Sequence, residues 1–280
     1  MKPVRLIALD MDGTLLLSDH RTLPQENIEA IRRADAAGIR VCICTGRMLE
    51  DASDFIHRLD LPCMIIAANG ARASDGPLPE GHVLLRRSFA PADAHRVLDA
   101  LLPFGLMVNG FEDGLVSTVQ DGTGRVYHLT ERGLMPARYG AQALRAAADR
   151  GLMKIFAVGR GSGIGDDGDA RIAAAREAVF STLPQAQITS SAPGNLEIMP
   201  EGVSKGTALA AVAQQMGLTR EHVMAVGDAA NDLPMLEYAA HSVAMGNATP
   251  DVLAACRYRT ATNDERGVAK IINRVLNGTL

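Results

Sequence analysis

The most constraining feature of this chain is a rhythm of short apolar runs that each stop at a polar cluster. The runs at residues 4–9, 39–44, 64–68 and 222–226 are solidly apolar or nearly so, and they end at Asp10, Thr45, Asn69 and Gly227 with Asp228. Runs without polar alternation are the mark of parallel strands buried on both faces. Between them lie helical stretches. Thr22 followed by Pro24 and Gln25 reads as a capping-box start, Ile28 and Ile31 mark an inner face, and Gly38 is a stop. A second helix is expected at about 49–59. Strand and helix alternating in this way predict a doubly wound α/β domain with a mostly parallel sheet. Such sheets take ligands beyond the carboxyl ends of their strands.

The rhythm breaks after Gly70. Gly76, Pro77, Pro79 and Gly81 make a turn-rich hinge, and from there to about residue 190 strands alternate polar with apolar. Residues 106–111 and 115–119 flank Glu112, Asp113 and Gly114, a hairpin signal. Helices are expected at about 91–102 and 141–150. This stretch reads as an α+β domain inserted into the first. The α/β rhythm returns near Leu196, with a helix near Lys205 and strands at 222–226 and 242–245. The expected organisation is therefore a split core, residues 1–81 and 191–280, around an insert at 82–190.

Composition narrows the function classes. A net charge of -4 gives no basic field for a polyanion, and the absence of Trp removes the best stacking platform for bases, so no nucleic-acid partner is expected. The four cysteines have no zinc or disulfide spacing and read as small buried hydrophobes in a reducing compartment. No signal peptide or bilayer-length apolar run is seen. A soluble cytoplasmic protein without a membrane partner, monomer or homodimer, is the expectation.

Gly163, Gly165 and Gly168 match a dinucleotide fingerprint between an expected strand and helix. Asp166 and Asp167 would oppose a pyrophosphate there, and no acidic residue stands about twenty positions on for a ribose. A loop is the better reading. It is also the better reading of Asp166, Asp167 and Asp169 against a calcium site.

Four polar clusters then fall at strand ends or helix starts of the split domain: Asp10, Asp12, Gly13 and Thr14; Thr45, Gly46 and Arg47; Lys205; and Gly227, Asp228, Asn231 and Asp232. Two carboxylates two residues apart in extended chain would project to one side, and Gly46 leaves its amide open to an anion. A phosphate monoester brings about two negative charges near neutral pH. Beside Asp10, Asp228 and Asp232 that charge demands a divalent cation, and all-oxygen ligands suit Mg2+. Lys205 adds positive charge.

In these strings the chain resembles the Cof-type phosphatases of the haloacid dehalogenase (HAD) superfamily, which carry an α/β cap of type IIB after the third core strand. The matching segments are residues 9–15, 45–47, 69–71, 202–206, 227–232 and 244–248. The resemblance covers both core segments, and only the architecture of the cap. It implies a Rossmann-like HAD core and removal of phosphate from a small phosphorylated metabolite, such as a sugar or cofactor phosphate, through an aspartyl-phosphate. Asp10 would be the nucleophile. Asp12 would be the general acid and then the base, which calls for a raised pKa. Asp10, the main-chain carbonyl of Asp12 and Asp228 would hold Mg2+, with Asp232 beside the metal or on it. Thr45, Gly46, Lys205 and Asn231 would bind the phosphate, with Lys205 counted among the catalytic groups. Ala229 stands where the family often has Gly, and Arg266 where it often has Asp. Arg86, Arg87, Asn109, Arg125 and His128 are candidate leaving-group contacts in the cap. A sugar phosphomutase or phosphotransferase on the same core, or a non-catalytic phosphate-binding regulator, are the alternatives.

Overall fold

The computed structural model describes residues 3–57, 63–119, 136–159, 168–191 and 194–280. The chain forms two compact units, Met1–Leu85 with Ser204–Leu280, and Arg86–Val203.

The first unit is built on β1 (Leu6–Leu9), β2 (Arg40–Cys44), β3 (Met64–Ala67), β4 (Arg72–Ser74), β5 (Val83–Arg86), β12 (Val223–Gly227), β13 (His241–Ala244) and β14 (Tyr258–Arg259). Their order across the sheet is β14-β13-β12-β1-β2-β3-β4-β5. The run from β14 to β3 is parallel, and β4 pairs antiparallel with β3. All four residues of β1 and of β3 are buried, as strands covered on both faces require. Helices α1 (Gln25–Ala36), α2 (Leu49–His57), α6 (Lys205–Gln215), α7 (Leu233–Tyr238), α8 (Pro250–Ala255) and α9 (Gly267–Leu276) complete this unit, numbered in chain order.

Helix α1 buries Ala30, Ile31 and Ala34, the apolar stripe expected of it. Its start differs from the capping box read in the sequence. Pro24 is the residue before the helix and makes no side-chain cap. Thr22 is instead captured by Asp19, whose carboxylate accepts from the Thr22 hydroxyl at 2.5 Å and the Thr22 amide at 2.8 Å. Inside the helix, fully buried Asn27 donates to the Leu15 carbonyl at 2.9 Å and accepts from the Ala269 amide at 3.0 Å. One side chain thus ties α1 to the turn after β1 and to α9.

The second unit carries β6 (Met107–Glu112), β7 (Leu115–Val119), β8 (Ala137–Tyr139), β9 (Lys154–Val158), β10 (Gln187–Thr189) and β11 (Asn195–Met199), in the order β10-β11-β9-β6-β7-β8. The pairings are antiparallel except β7 with β8. Helices α3 (Pro91–Leu101), α4 (Ala141–Arg150) and α5 (Gly168–Thr182) supply Val97, Leu98, Leu144, Ala147 and Val179 to one core with Val108, Ile155 and Ile198. The β6–β7 hairpin turns at Asp113 and Gly114, with Gly114 at a φ of 65°. The units divide between Leu85 and Arg86 and between Val203 and Ser204, later than the boundaries at 81 and 190 read from the sequence. Strand β11 explains the larger offset, because it pairs with β9 and β10 of the second sheet. Among the described residues, no helix is long and apolar enough to cross a membrane.

Asn27→Leu removes both buried bonds and strands the amide and carbonyl that they satisfied. The expected loss is about 2–4 kcal/mol, seen as a lower urea midpoint with an unchanged slope. A loss below about 0.5 kcal/mol would mean that water or a backbone shift satisfies both groups.

Candidate active site

Strands β1 and β12 run side by side from Leu6 opposite Val223 to Leu9 opposite Val226. From β1 the chain continues to β2 and β3 on one side, and from β12 to β13 and β14 on the other. Their carboxyl ends therefore open the crevice of a topological switch point. Asp10 follows β1 and Asp228 follows β12.

After Asp10 the chain leaves extended geometry. Met11–Leu15 forms one wide helical turn, broken where Gly13 takes a φ of 82°. A β-carbon at Gly13 would stand 2.4 Å from an Asp228 carboxylate oxygen, so backbone and space both demand glycine. Thr14 donates its hydroxyl to Asp228 Oδ1 at 2.8 Å, and Asn247 Nδ2 donates to the Gly13 carbonyl at 2.8 Å.

Lys205 is the first residue of α6. Ser204 caps that helix, its hydroxyl oxygen accepting the Thr207 amide at 3.1 Å. Lys205 is fully buried and donates to Asp10 Oδ1 at 2.6 Å and Asp232 Oδ1 at 2.7 Å. The other oxygen of Asp232 accepts the amides of Asp228 and Ala229 at 2.9 and 3.1 Å. Gly206 and Gly227 permit this closeness: a β-carbon on Gly206 would lie 2.2 Å from the Pro234 carbonyl oxygen, and one on Gly227 2.6 Å from Asp232.

The second strand end adds Thr45, buried, whose hydroxyl accepts the Arg47 amide at 3.0 Å. Arg47 Nε and Nη2 donate to the two oxygens of Asp12 at 2.8 and 2.5 Å. His20 Nδ1 lies 3.2 Å from Asp12 Oδ1. After β3, Ala68, Asn69 and Gly70 all adopt positive φ, and the amides of Ala68 and Asn69 donate to the carbonyls of Arg47 and Thr45. Asn231 donates to Asn69 Oδ1 at 3.2 Å. This turn thus joins the Thr45 loop to the loop after β12.

Asp10, Asp12, Thr45, Lys205, Asp228, Asn231 and Asp232 all belong to this one network at the strand ends of the first unit, and Gly46 lies between Thr45 and Arg47. Sequence reasoning gave no role to Arg47, His20, Thr14, Asn69 or Asn247. Arg47 and Asn69 stood in the recognised strings, and their strand-end position was the available signal; His20 had none. In the second unit Arg86 pairs with Asp113 at 2.7 Å. Asn109 is fully buried, with neither amide atom hydrogen-bonded among the described residues. Arg125, His128 and residues 163–167 lie outside the described residues.

The electrostatics separate the two carboxylates of the first cluster. Burial raises Asp10 well above the usual carboxyl range and the charge of Asp232 raises it further, more than Lys205 lowers it. Burial and Asp232 push Asp228 up to about 7 against the Thr14 hydrogen bond. Asp12 corrects the sequence reading. Its burial would raise it, but the hydrogen bonds and charge of Arg47, with those of His20, outweigh that and hold it below the usual range. Burial works against the Lys205 ammonium, and the charges of Asp10 and Asp232 overcome it.

Asp10, Asp228 and Asp232 each offer an oxygen within 4.8 Å of the others. Both oxygens of Asp232 are already engaged, which suits it to orienting its neighbours. One oxygen each of Asp10 and Asp228 has no hydrogen-bond partner among the described residues. Two such oxygens, on carboxyls whose charge the site disfavours, fit a hard divalent cation.

A family model described as haloacid dehalogenase-like hydrolase matches residues 7–272, so the chain belongs to that family. Among its relatives is the Bacillus subtilis 5-amino-6-(5-phospho-D-ribitylamino)uracil phosphatase YwtE, 32% identical over 98% of this chain and 99% of the relative. The HMP-PP phosphatase of Cronobacter sakazakii is 33% identical over 89% of this chain and 87% of its own. A solved haloacid dehalogenase-like hydrolase from B. subtilis superposes with a TM-score of 0.82 at 28% identity, over 96% of this chain and 99% of that one. A subclass IIB sugar phosphatase of the superfamily gives 0.81 at 23% identity, over 99% and 100%, a likeness of fold.

The raised Asp228 gives a sign for pH dependence. A carboxyl whose folded pKa lies above its unfolded value weakens the metal-free protein as pH rises from about 4 to about 7. A cation bound there would relieve that penalty. Magnesium is therefore expected to raise Tm more at pH 8 than at pH 5.5, each compared with EDTA. Equal shifts at both pH values would mean that Asp228 is already ionised without metal at pH 5.5.

Proposed function

We propose that this phosphatase removes the phosphate of a small phosphorylated metabolite by attack of Asp10, with Asp12 handling the protons and Mg2+ as cofactor. The carrying observation is the Asp10 carboxylate held on buried Lys205 at the strand-end crevice, with Asp228 beside it. The names of the two phosphatase relatives support a small metabolite as the substrate class.

The residues divide the work. Asp10 forms the bond to phosphorus as the bond to the alcohol oxygen breaks. Lys205 holds one Asp10 oxygen in place, which fixes the carboxylate for attack. Thr45, Gly46 and Asn231 would hold phosphoryl oxygens, which is positioning and charge stabilisation, the main demands of phosphoryl transfer. Asp10, Asp228 and the Asp12 carbonyl would hold the magnesium ion, which when bound supplies positive charge to the phosphate and to the carboxylates that burial disfavours. Asp12, as Arg47 holds it, is in its carboxylate form, the form that takes a proton from water when the aspartyl-phosphate is hydrolysed. Protonating the alcohol in the first half-reaction requires Asp12 to load a proton beforehand. A cytoplasmic setting accords with the free cysteines, of which Cys42, Cys44 and Cys63 are buried.

The test is hydrolysis of p-nitrophenyl phosphate and a panel of sugar phosphates. Wild type with magnesium is expected to turn over, EDTA to stop it, and Asp10→Asn to lower kcat by about 10³-fold or more with the fold intact. Asp10→Asn at the wild-type rate would remove Asp10 as nucleophile. Turnover surviving chelation would remove the metal. Turnover that needs a sugar bisphosphate activator would make the enzyme a phosphomutase.

A further inference from the structure

We propose that Arg47 is a positioning residue that fixes the Asp12 carboxylate for the hydrolytic half of the reaction, an inference that rests on the phosphatase reading above. In that half a water oxygen attacks phosphorus, and Asp12 takes one of the water protons. The phosphorus–oxygen bond to Asp10 breaks, its electron pair returns to the Asp10 carboxylate, and phosphate leaves. The base must therefore be aimed at a water, and its two oxygens are not interchangeable.

The Arg47 fork sets that aim. Nε and Nη2 each donate to a different Asp12 oxygen, at 2.8 and 2.5 Å, so the carboxylate plane is fixed along with its position. Arg47 is itself held on every side. Its guanidinium lies 4.6 Å from the centroid of the Phe55 ring, Nη1 is 3.5 Å from buried Asp51, and Nη2 also donates to the His20 carbonyl at 3.0 Å. Its amide donates to Thr45 Oγ1, and its carbonyl accepts the Ala68 amide at 2.7 Å. The anchor is also the drier partner, with the Arg47 side chain 15% exposed against 34% for Asp12. His20 reaches the same carboxylate, but it is 61% exposed and touches one oxygen. A side chain so constrained at its own end and bidentate at the other transmits the fold's geometry to the group it holds. A lysine ammonium supplies the charge without the fork.

The experiment is rapid mixing with p-nitrophenyl phosphate and magnesium, because this leaving group departs without a proton. Wild type, Arg47→Lys and Arg47→Met are compared, with thermal melts run in parallel. Both variants are expected to release the first equivalent of p-nitrophenolate within about threefold of the wild-type rate, while the following steady state falls about 100-fold in Arg47→Met and less in Arg47→Lys. The acyl phosphate should then accumulate on Asp10 and be captured by hydroxylamine as a hydroxamate, located by peptide mass spectrometry. First-turnover and steady-state rates falling together would overturn the proposal and place Arg47 in phosphate binding or folding. An unchanged steady state would overturn it by separating Asp12 from Arg47. A wild type that neither releases the phenolate nor labels Asp10 would overturn the phosphatase reading and this inference with it.

Discussion

The ammonium of Lys205 is the interaction around which the first unit is arranged. It has no exposed surface and bridges Asp10 and Asp232. Burying an ion costs several kcal/mol unless good geometry and further hydrogen bonds offset it. Here the offset is supplied by neighbouring loops: Asp232 is pinned by two main-chain amides, and Ser204 caps the helix that presents the lysine. Lys205 also opens α6, where the helix dipole disfavours a cation. A position that poor for stability is held because α6 starts tight against Pro234, a closeness that Gly206 permits, and because Gly70 lets the turn after β3 approach the Ser204 carbonyl. Three separate strand ends thus meet at one buried charge.

Lys205 does not balance what surrounds it. Asp10, Asp228 and Asp232 converge within 4.8 Å, and the carboxyls of Asp10 and Asp228, each with one oxygen unengaged among the described residues, are pushed upward. The same burial that makes an ion pair strong makes an extra carboxylate costly. A cluster of this kind favours positive charge from outside, which is how stability is given up at a functional site.

The sequence made the strands legible and the partners of their terminal residues illegible. An uninterrupted apolar run such as residues 6–9 has few places to sit other than a parallel sheet, and the polar cluster after it marks the carboxyl end. Both inferences are local. The Asp12–Arg47 fork spans 35 positions, and the Thr14–Asp228 bond spans 214. Nothing in a single sequence fixes such pairings. Strand β11 failed for the same reason, since its residues suit either sheet and only its antiparallel pairing with β9 decides. Thr22 shows the local version: a capping pattern was present, but Asp19, equally three residues away on the other side, took the hydroxyl.

Asp10 and Asp12 stand two residues apart and are displaced in opposite directions, which separates the two groups more than their spacing does. Both are desolvated, so burial alone would raise both. What separates them is the turn at Gly13, which leaves Asp10 facing two further carboxylates while Asp12 meets a guanidinium and an imidazole. Pairs of titratable groups pushed apart by their surroundings mark divided acid–base roles. In the proposed mechanism Asp10 attacks as a carboxylate, and the positive charge of a bound cation would offset the burial and the neighbouring carboxylates that raise it. Asp12, held low by Arg47 and His20, would be the carboxylate that takes a proton from water in that mechanism.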